Sequence, residues 1–538
     1  MHTLLPWNRP SLRERTAERA IADLHKRLAP PAPPSEAPDP FKEYLDHFNV
    51  PHALELGTLD DGRVLKLPSD LIYKHAAIGG ASGKGKTRLL ALLVFQILRG
   101  IFKGTAPDVE VECIDGKGET CDFIKAWLEV LRRTGPEPVR KWIEDNVWVL
   151  GWLRDMVTPM PLFEADDATM SLAYLADLRT QTTVDASSYS FTDGTRHEFS
   201  MYARLCATLG HPPNVNVMTA LYTDRAFCES LLRDVPDPQL RDHYQRVGDH
   251  VPKGTFEALR RRLEYLLAYS IIRASIGPPP AAVAKLGIRR TGALRLVDVS
   301  TRFELPLSVA AERQRHRIID VLRSAPKRDR HKPAILIVEE AARLLATSPD
   351  LAEELAGGVQ MLRYFGVGVW MSTQNFSTLP AAILEPMLLN SFWLAMFQTR
   401  GDSGVFAKQV AGDAGDADGP RSEAKARRNF ERDIENLPAQ TCYVWPRDHR
   451  VFRLRVMDCP DPAADGLTIE QLAAEFDREV SAKSMISIAT ADRLIAEWEA
   501  DVLGRREIPP PEAASGRRNT FSMDDLLREH PDEEGIDG

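Results

Sequence analysis

The sequence predicts an α/β fold built on a largely parallel sheet, and three observations carry that prediction. A glycine-rich stretch, IGGASGKGKTRLL over residues 78–90, lies between a short apolar run and a strongly helical one. From about residue 50, short aliphatic runs alternate with helical segments, as strands do when helices cover a sheet. One such run, AILIV at 334–338, leads directly into Glu339 and Glu340. A buried strand would therefore deliver two carboxylates to its carboxyl end.

Length and composition set the bounds. The 538 residues are enough for two or three domains with a large core. Apolar content of 43% and charged content of 27% are ordinary for a soluble globular protein. The longest nearly apolar run, 89–102, is too short and interrupted to span a bilayer, and no signal-peptide core opens the chain. Six scattered cysteines without C-x-x-C pairing predict reduced thiols and no zinc site. A net charge of −9 argues against a protein that coats nucleic acid all over, while leaving room for a local basic channel.

Taken in order, residues 1–28 hold an N-terminal helix and 29–49 a proline-rich linker, APPAPPSEAPDP within it. The nucleotide-binding core spans 50–164 and 289–460. Its expected strands are Ala76–Ile78, Val109–Ile114, Leu294–Val299, Ala334–Val338, Val367–Met371 and Trp393–Phe397, with a helix over Arg88–Leu98. Between 165 and 288 the pattern is helical, as in FEALRRRLEYLLAYSII, and reads as an inserted all-helical domain. Thr441–Val456 predicts a closing hairpin. Residues 461–505 predict C-terminal helices, the first opened by a capping box of Thr468 and Gln471. The acidic tail 506–538 is expected to be disordered, with FSMDDLLRE able to fold on a partner.

The glycine stretch has the form G-x-x-x-x-G-K-T. In that motif the backbone N–H groups of Gly80, Ala81, Ser82, Gly83, Lys84, Gly85, Lys86 and Thr87 cradle phosphates. Lys86 reaches the β- and γ-phosphates and the Thr87 hydroxyl binds magnesium. ATP and magnesium are the expected ligands. Of the two carboxylates, Glu339 is assigned to the metal and Glu340 to the attacking water. The competing reading is an exposed glutamate pair that merely opens a helix. Asp115 and Lys117, in IDGKGE, fall beside the phosphate loop; Thr373 and Gln374 end another strand, where Gln374 can sense the γ-phosphate.

In this order and spacing the motifs resemble the FtsK/HerA superfamily of hexameric translocating ATPases, and within it the coupling proteins of conjugative type IV secretion systems. The resemblance covers residues 50–460 and implies a RecA-like P-loop core with an inserted helical domain. Family motifs match at Gly80–Thr87, Asp115–Gly118, Glu339-Glu340 and Thr373-Gln374. Gly116 replaces the family's proline, and Glu339 its aspartate. The family's arginine finger lies between the carboxylate strand and the glutamine, which makes Arg363 the matching residue. Coupling proteins also carry amino-terminal transmembrane helices; the proline linker here implies a cytoplasmic protein, or one peripheral at the inner membrane. The implied function is a ring-forming, hexameric, ATP-hydrolysing DNA translocase that couples to a conjugative type IV secretion system. The alternatives are a HerA-like DNA pump in repair or antiphage defence, or an adaptor that recruits protein substrates to secretion. Implied partners are DNA of either strandedness and a secretion channel, relaxase or membrane anchor. Basic clusters at Arg260–Arg262 and Lys425–Arg428 are candidates for a DNA channel or for solvated faces, and no aromatic–basic interleaving marks a reading surface.

Overall fold

The computed structural model describes residues 53–105, 108–153, 155–160, 193–246, 251, 253–288, 292–298, 314, 317–322, 324–342, 345, 349–379, 381–411, 420–447, 451–459 and 461–504. The expected N-terminal helix, proline linker and acidic tail lie outside them.

Thirteen strands are described: β1 (Leu54–Leu59), β2 (Val64–Leu67), β3 (Ala76–Gly79), β4 (Glu110–Asp115), β5 (Val147–Leu150), β6 (Met156–Val157), β7 (Leu294–Asp298), β8 (Ala334–Val338), β9 (Val367–Thr373), β10 (Trp393–Phe397), β11 (Thr441–Pro446), β12 (Phe452–Val456) and β13 (Ile486–Ser487). Eleven form one sheet in the order β2-β1-β12-β11-β10-β3-β9-β8-β4-β7-β5. The run from β10 to β5 is parallel throughout. β11, β12, β1 and β2 extend it antiparallel. β9 separates the strand before the glycine loop, β3, from the carboxylate strand, β8. This is the RecA-like arrangement expected from the motifs, with both loops opening at one end of the sheet.

The central strands read as unbroken aliphatic runs because both faces are covered. All residues of β3, β8, β9 and β10 are buried. Alternation divides them between two cores. Ile335 and Ile337 point to one layer, with Leu89, Leu93 and Ile97. Leu336 and Val338 point to the other, with Leu355, Val359 and Leu362, as the period of two requires. The first layer is built on α1 (Lys86–Phe102) and α2 (Glu119–Thr134).

Between β6 and β7 the described residues are helical: α3 (Asp193–Leu209), α4 (Val215–Thr223), α5 (Arg225–Leu232), α6 (Pro238–Gln245), α7 (Lys253–Ala268), α8 (Ser270–Ile276) and α9 (Pro280–Lys285). Three of the starts are set by side chains, since Asn214, Asp224 and Asp237 each accept from backbone N–H groups of the first turn. α10 (Pro349–Tyr364) and α11 (Ala381–Asn390) flank β9.

The strands β1, β2, β5, β6 and β13 are additions to the expected set. The C-terminal segment is also more than an appendage. The capping box of Thr468 and Gln471 opens α12 (Ile469–Glu479) as expected, and α12 packs along α2. β13 then pairs with β6, and α13 (Ile488–Val502) binds the helical segment through Arg273–Asp492, 3.0 Å, and Asn214–Glu499, 2.9 Å. The segment ties the sheet to the helices.

Candidate active site

The glycine loop turns because its glycines adopt conformations closed to other residues. Gly80, Gly83 and Gly85 have φ of 143°, 71° and 121°. A Cβ on Gly80 would also collide with Phe397. The loop is fixed from outside by Ala81 N–H donating to Gln398 O and Gln440 N–H donating to Lys84 O, both 2.8 Å. α1 starts at Lys86, so its first N–H groups face the loop.

Lys86 is 6% exposed, and its ammonium donates to Gly80 O at 2.5 Å and Ala81 O at 3.1 Å. Burial lowers its pKa, while the carboxylates of Glu340 and Glu339 act in the opposite direction. The Thr87 hydroxyl donates to Glu339 Oε1 at 2.9 Å. Glu339 Oε2 accepts from the Thr120 hydroxyl. Burial first, and then the neighbouring charge of Asp115, push Glu339 up to about 8. A buried carboxylate so placed favours a cation. The donor set of a hydroxyl and a carboxylate, all oxygen, suits magnesium.

Asp115 has a different task from the one its place beside the loop implies. It is fully buried and accepts from the backbone N–H groups of Lys117, Gly118, Thr120 and Cys121 at 2.8–3.0 Å. It therefore shapes the turn into α2. A Cβ on Gly116 would meet the end of the Gln314 side chain, which would have to move aside.

Glu340 stands at the end of β8 with φ of 54°, a costly conformation for a residue with a side chain. Lys117 Nζ and Gln374 Nε2 both donate to its Oε1, at 2.6 and 2.8 Å. β4, β8 and β9 thus each send one side chain to the same point. Gln440, at φ 60°, is the other non-glycine residue of positive φ among the described residues. Glu340 and Gln440 both line a 470 Å³ cavity with Lys86, Thr87, Lys117 and Glu339. Ile469 and Glu470 close its far wall. The sequence reading missed Gln440, Ile469 and Glu470, which come from segments far from any motif.

Arg363 is not in this cavity. It ends α10 before β9, whereas Gln374 follows β9. Seven strand residues at about 3.3 Å each put them some 20 Å apart. Arg363 is exposed and lies 4.7 Å above the Phe392 ring, with Arg447 at 5.7 Å and Lys74 at 5.9 Å. Among the described residues, no carboxylate pairs with any of these three cations. Three cations from segments distant in sequence thus gather around one aromatic ring. Within the basic clusters singled out in the sequence, Arg260 pairs with Glu257 and Glu264, and Arg427 with Glu431.

No known family and no curated protein matches the sequence. Among solved structures, the chain is similar to the bacterial conjugative coupling protein TrwB in an unbound form. The TM-score is 0.49 at 14% identity, over 80% of this chain and 93% of that one. It is similar to VirB4 of Thermoanaerobacter pseudethanolicus, with TM-score 0.45, 14% identity and coverage of 76% and 97%. A third is the plasmid coupling protein TrwB in complex with ADP and Mg2+, with TM-score 0.44, 13% identity and coverage of 77% and 92%. At such identity and superposition these likenesses assign no role to any residue. No helix among the described residues is long and apolar enough to cross a membrane.

Proposed function

We propose that the protein hydrolyses ATP at the end of β3 and β8, and that it works as a ring-forming motor on DNA of the kind that serves conjugative secretion. The observation that carries the hydrolytic reading is Glu340, held on one oxygen by Lys117 and Gln374 beside the lysine and threonine of the glycine loop.

In this reading the loop amides and Lys86 bind the phosphates. Thr87 and Glu339 would hold magnesium, which supplies Lewis-acid charge at the phosphate oxygens when bound. Glu340 takes a proton from water as the water oxygen bonds to the γ-phosphorus. The bridging β,γ P–O bond breaks, and ADP leaves with that electron pair. Gln374 and Lys117 orient Glu340, and Gln374 is placed to report on the γ-phosphate. Arg363 lies away from its own chain's cavity, so in this reading it acts on the nucleotide of a neighbouring copy in the ring. The cations around Phe392 support an anion at that surface.

The DNA-motor reading rests on the order and spacing of the motifs. The test is ATPase rate with and without single- and double-stranded DNA, alongside native mass. Stimulation by DNA in a hexamer is expected; a hexamer indifferent to every DNA would favour the secretion adaptor.

A further inference from the structure

A second cluster lies away from the nucleotide cavity, in the helical segment. Glu198 on α3 is 5% exposed. One of its oxygens, Oε2, accepts from the Tyr222 hydroxyl at 2.8 Å and sits 3.1 Å from His243 Nε2 on α6. Among the described residues no lysine or arginine pairs with it. A buried carboxylate without a permanent cation is costly unless something else supplies positive charge.

A second imidazole stands beside this pair. His197 precedes Glu198 on α3, and its ring stands 5.4 Å from that of His243, at 75°. One ligand atom from each of His197, Glu198 and His243 lies within 4.8 Å of the others. A tetrahedral ion with bonds of about 2.1 Å holds its ligands about 3.4 Å apart. The His243–Glu198 pair, at 3.1 Å, is already close to that spacing, and His197, being exposed, can close the remainder by a rotamer change.

We infer that His197, Glu198 and His243 form a binding site for a divalent transition-metal ion, with zinc the natural occupant of two imidazoles and a carboxylate. Tyr222 orients the carboxylate from behind, as outer partners of metal ligands do. The ion clamps α3 to α6, and the fourth position opens to water beside His197. The absence of a zinc site expected from the cysteines does not bear on this one, since it uses no thiol.

The test is zinc titration by calorimetry on the full-length, chelator-stripped protein, with Co2+ absorption as the spectroscopic companion. One zinc ion per chain is expected, with a tetrahedral cobalt spectrum. His197→Ala, at an exposed position, should keep the zinc-free melting temperature of the wild type and bind zinc at least ~10-fold more weakly; Tyr222→Phe should lose about 10-fold. Thr87→Ala should bind zinc as the wild type does, which separates this site from the nucleotide cavity. No stoichiometric zinc in the wild type, or equal affinity in His197→Ala, would overturn the assignment.

Discussion

The two ends of the parallel strands handle charge in opposite ways. At the carboxyl end, three acidic residues are drawn inside and each is tied down: Asp115 by four backbone N–H groups, Glu339 by Thr87 and Thr120, Glu340 by Lys117 and Gln374. At the amino end, Lys74, Arg363 and Arg447 share one ring, Phe392, without a carboxylate among the described residues. His75 beneath them stays neutral. Burial, helped by the charges of Arg363 and Lys74, pushes it down to about 4. Its Nδ1 accepts from Val369 N–H and its Nε2 faces Val359 O. One end thus gathers tethered carboxylates and a buried lysine around a single cavity. The other is positively charged, and among the described residues no carboxylate pairs with its three cations.

The comparison is broken most severely by Lys86→Ala. Its ammonium is the cation bound to the loop carbonyls, and without it turnover should fall to background. A steady-state assay giving wild-type turnover would refute the hydrolytic reading altogether.

Arg363→Ala should come next, with a loss of about 10³ or more if the arginine serves a neighbour's phosphate. It tests whether the amino end of one copy answers the carboxyl end of another. Mixing Arg363→Ala with Lys86→Ala chains should restore part of the activity, because some junctions then carry an intact lysine facing an intact arginine. A hexameric Arg363→Ala protein that hydrolyses ATP at the wild-type rate would remove the finger.

Within the carboxyl end, Glu340→Gln should slow hydrolysis by about 10² to 10⁴ while ATP stays bound, since Thr87 and Glu339 remain in place. Nucleotide retained after gel filtration reads this directly. Should Glu339→Gln trap ATP while Glu340→Gln turns over, the two carboxylates exchange roles.

The sequence made the carboxyl end legible because its parts are local. A glycine loop, a lysine and a threonine within eight residues define one wall, and an aliphatic strand running into two glutamates defines another. Lys117 and Gln374 were placed near the loop by the ends of their strands, but their meeting on Glu340 depends on contacts across 223 and 34 residues. The far wall of the cavity was hidden for a stronger reason. Ile469 and Glu470 arrive only because α12 lies along α2, and a capping box fixes where a helix begins, not what it packs against. β5 was missed because four apolar residues directly after a helix carry no period that marks a strand. The amino end could not be read at all, since Lys74, Arg363, Phe392 and Arg447 come from four separate segments.

The smallest effect concerns the ring that holds the amino end together. Phe392 is half-buried, and its ring lies within 6 Å of three cations. Exposed cation–π contacts contribute about 0.5–1 kcal/mol each, but the mutual repulsion of the cations offsets part of that. Phe392→Leu keeps most of the apolar volume and removes the quadrupole, so a net loss of about 1 kcal/mol is expected. Salt supplies the discriminating measurement. Added ions screen repulsion between the freed cations, so the deficit should be greatest at low ionic strength and shrink as salt rises. Melting curves of wild type and variant across a salt series give both numbers. A deficit that does not change with salt would mean that Phe392 stabilises this end through packing alone, and that the three positive charges there are independent of one another.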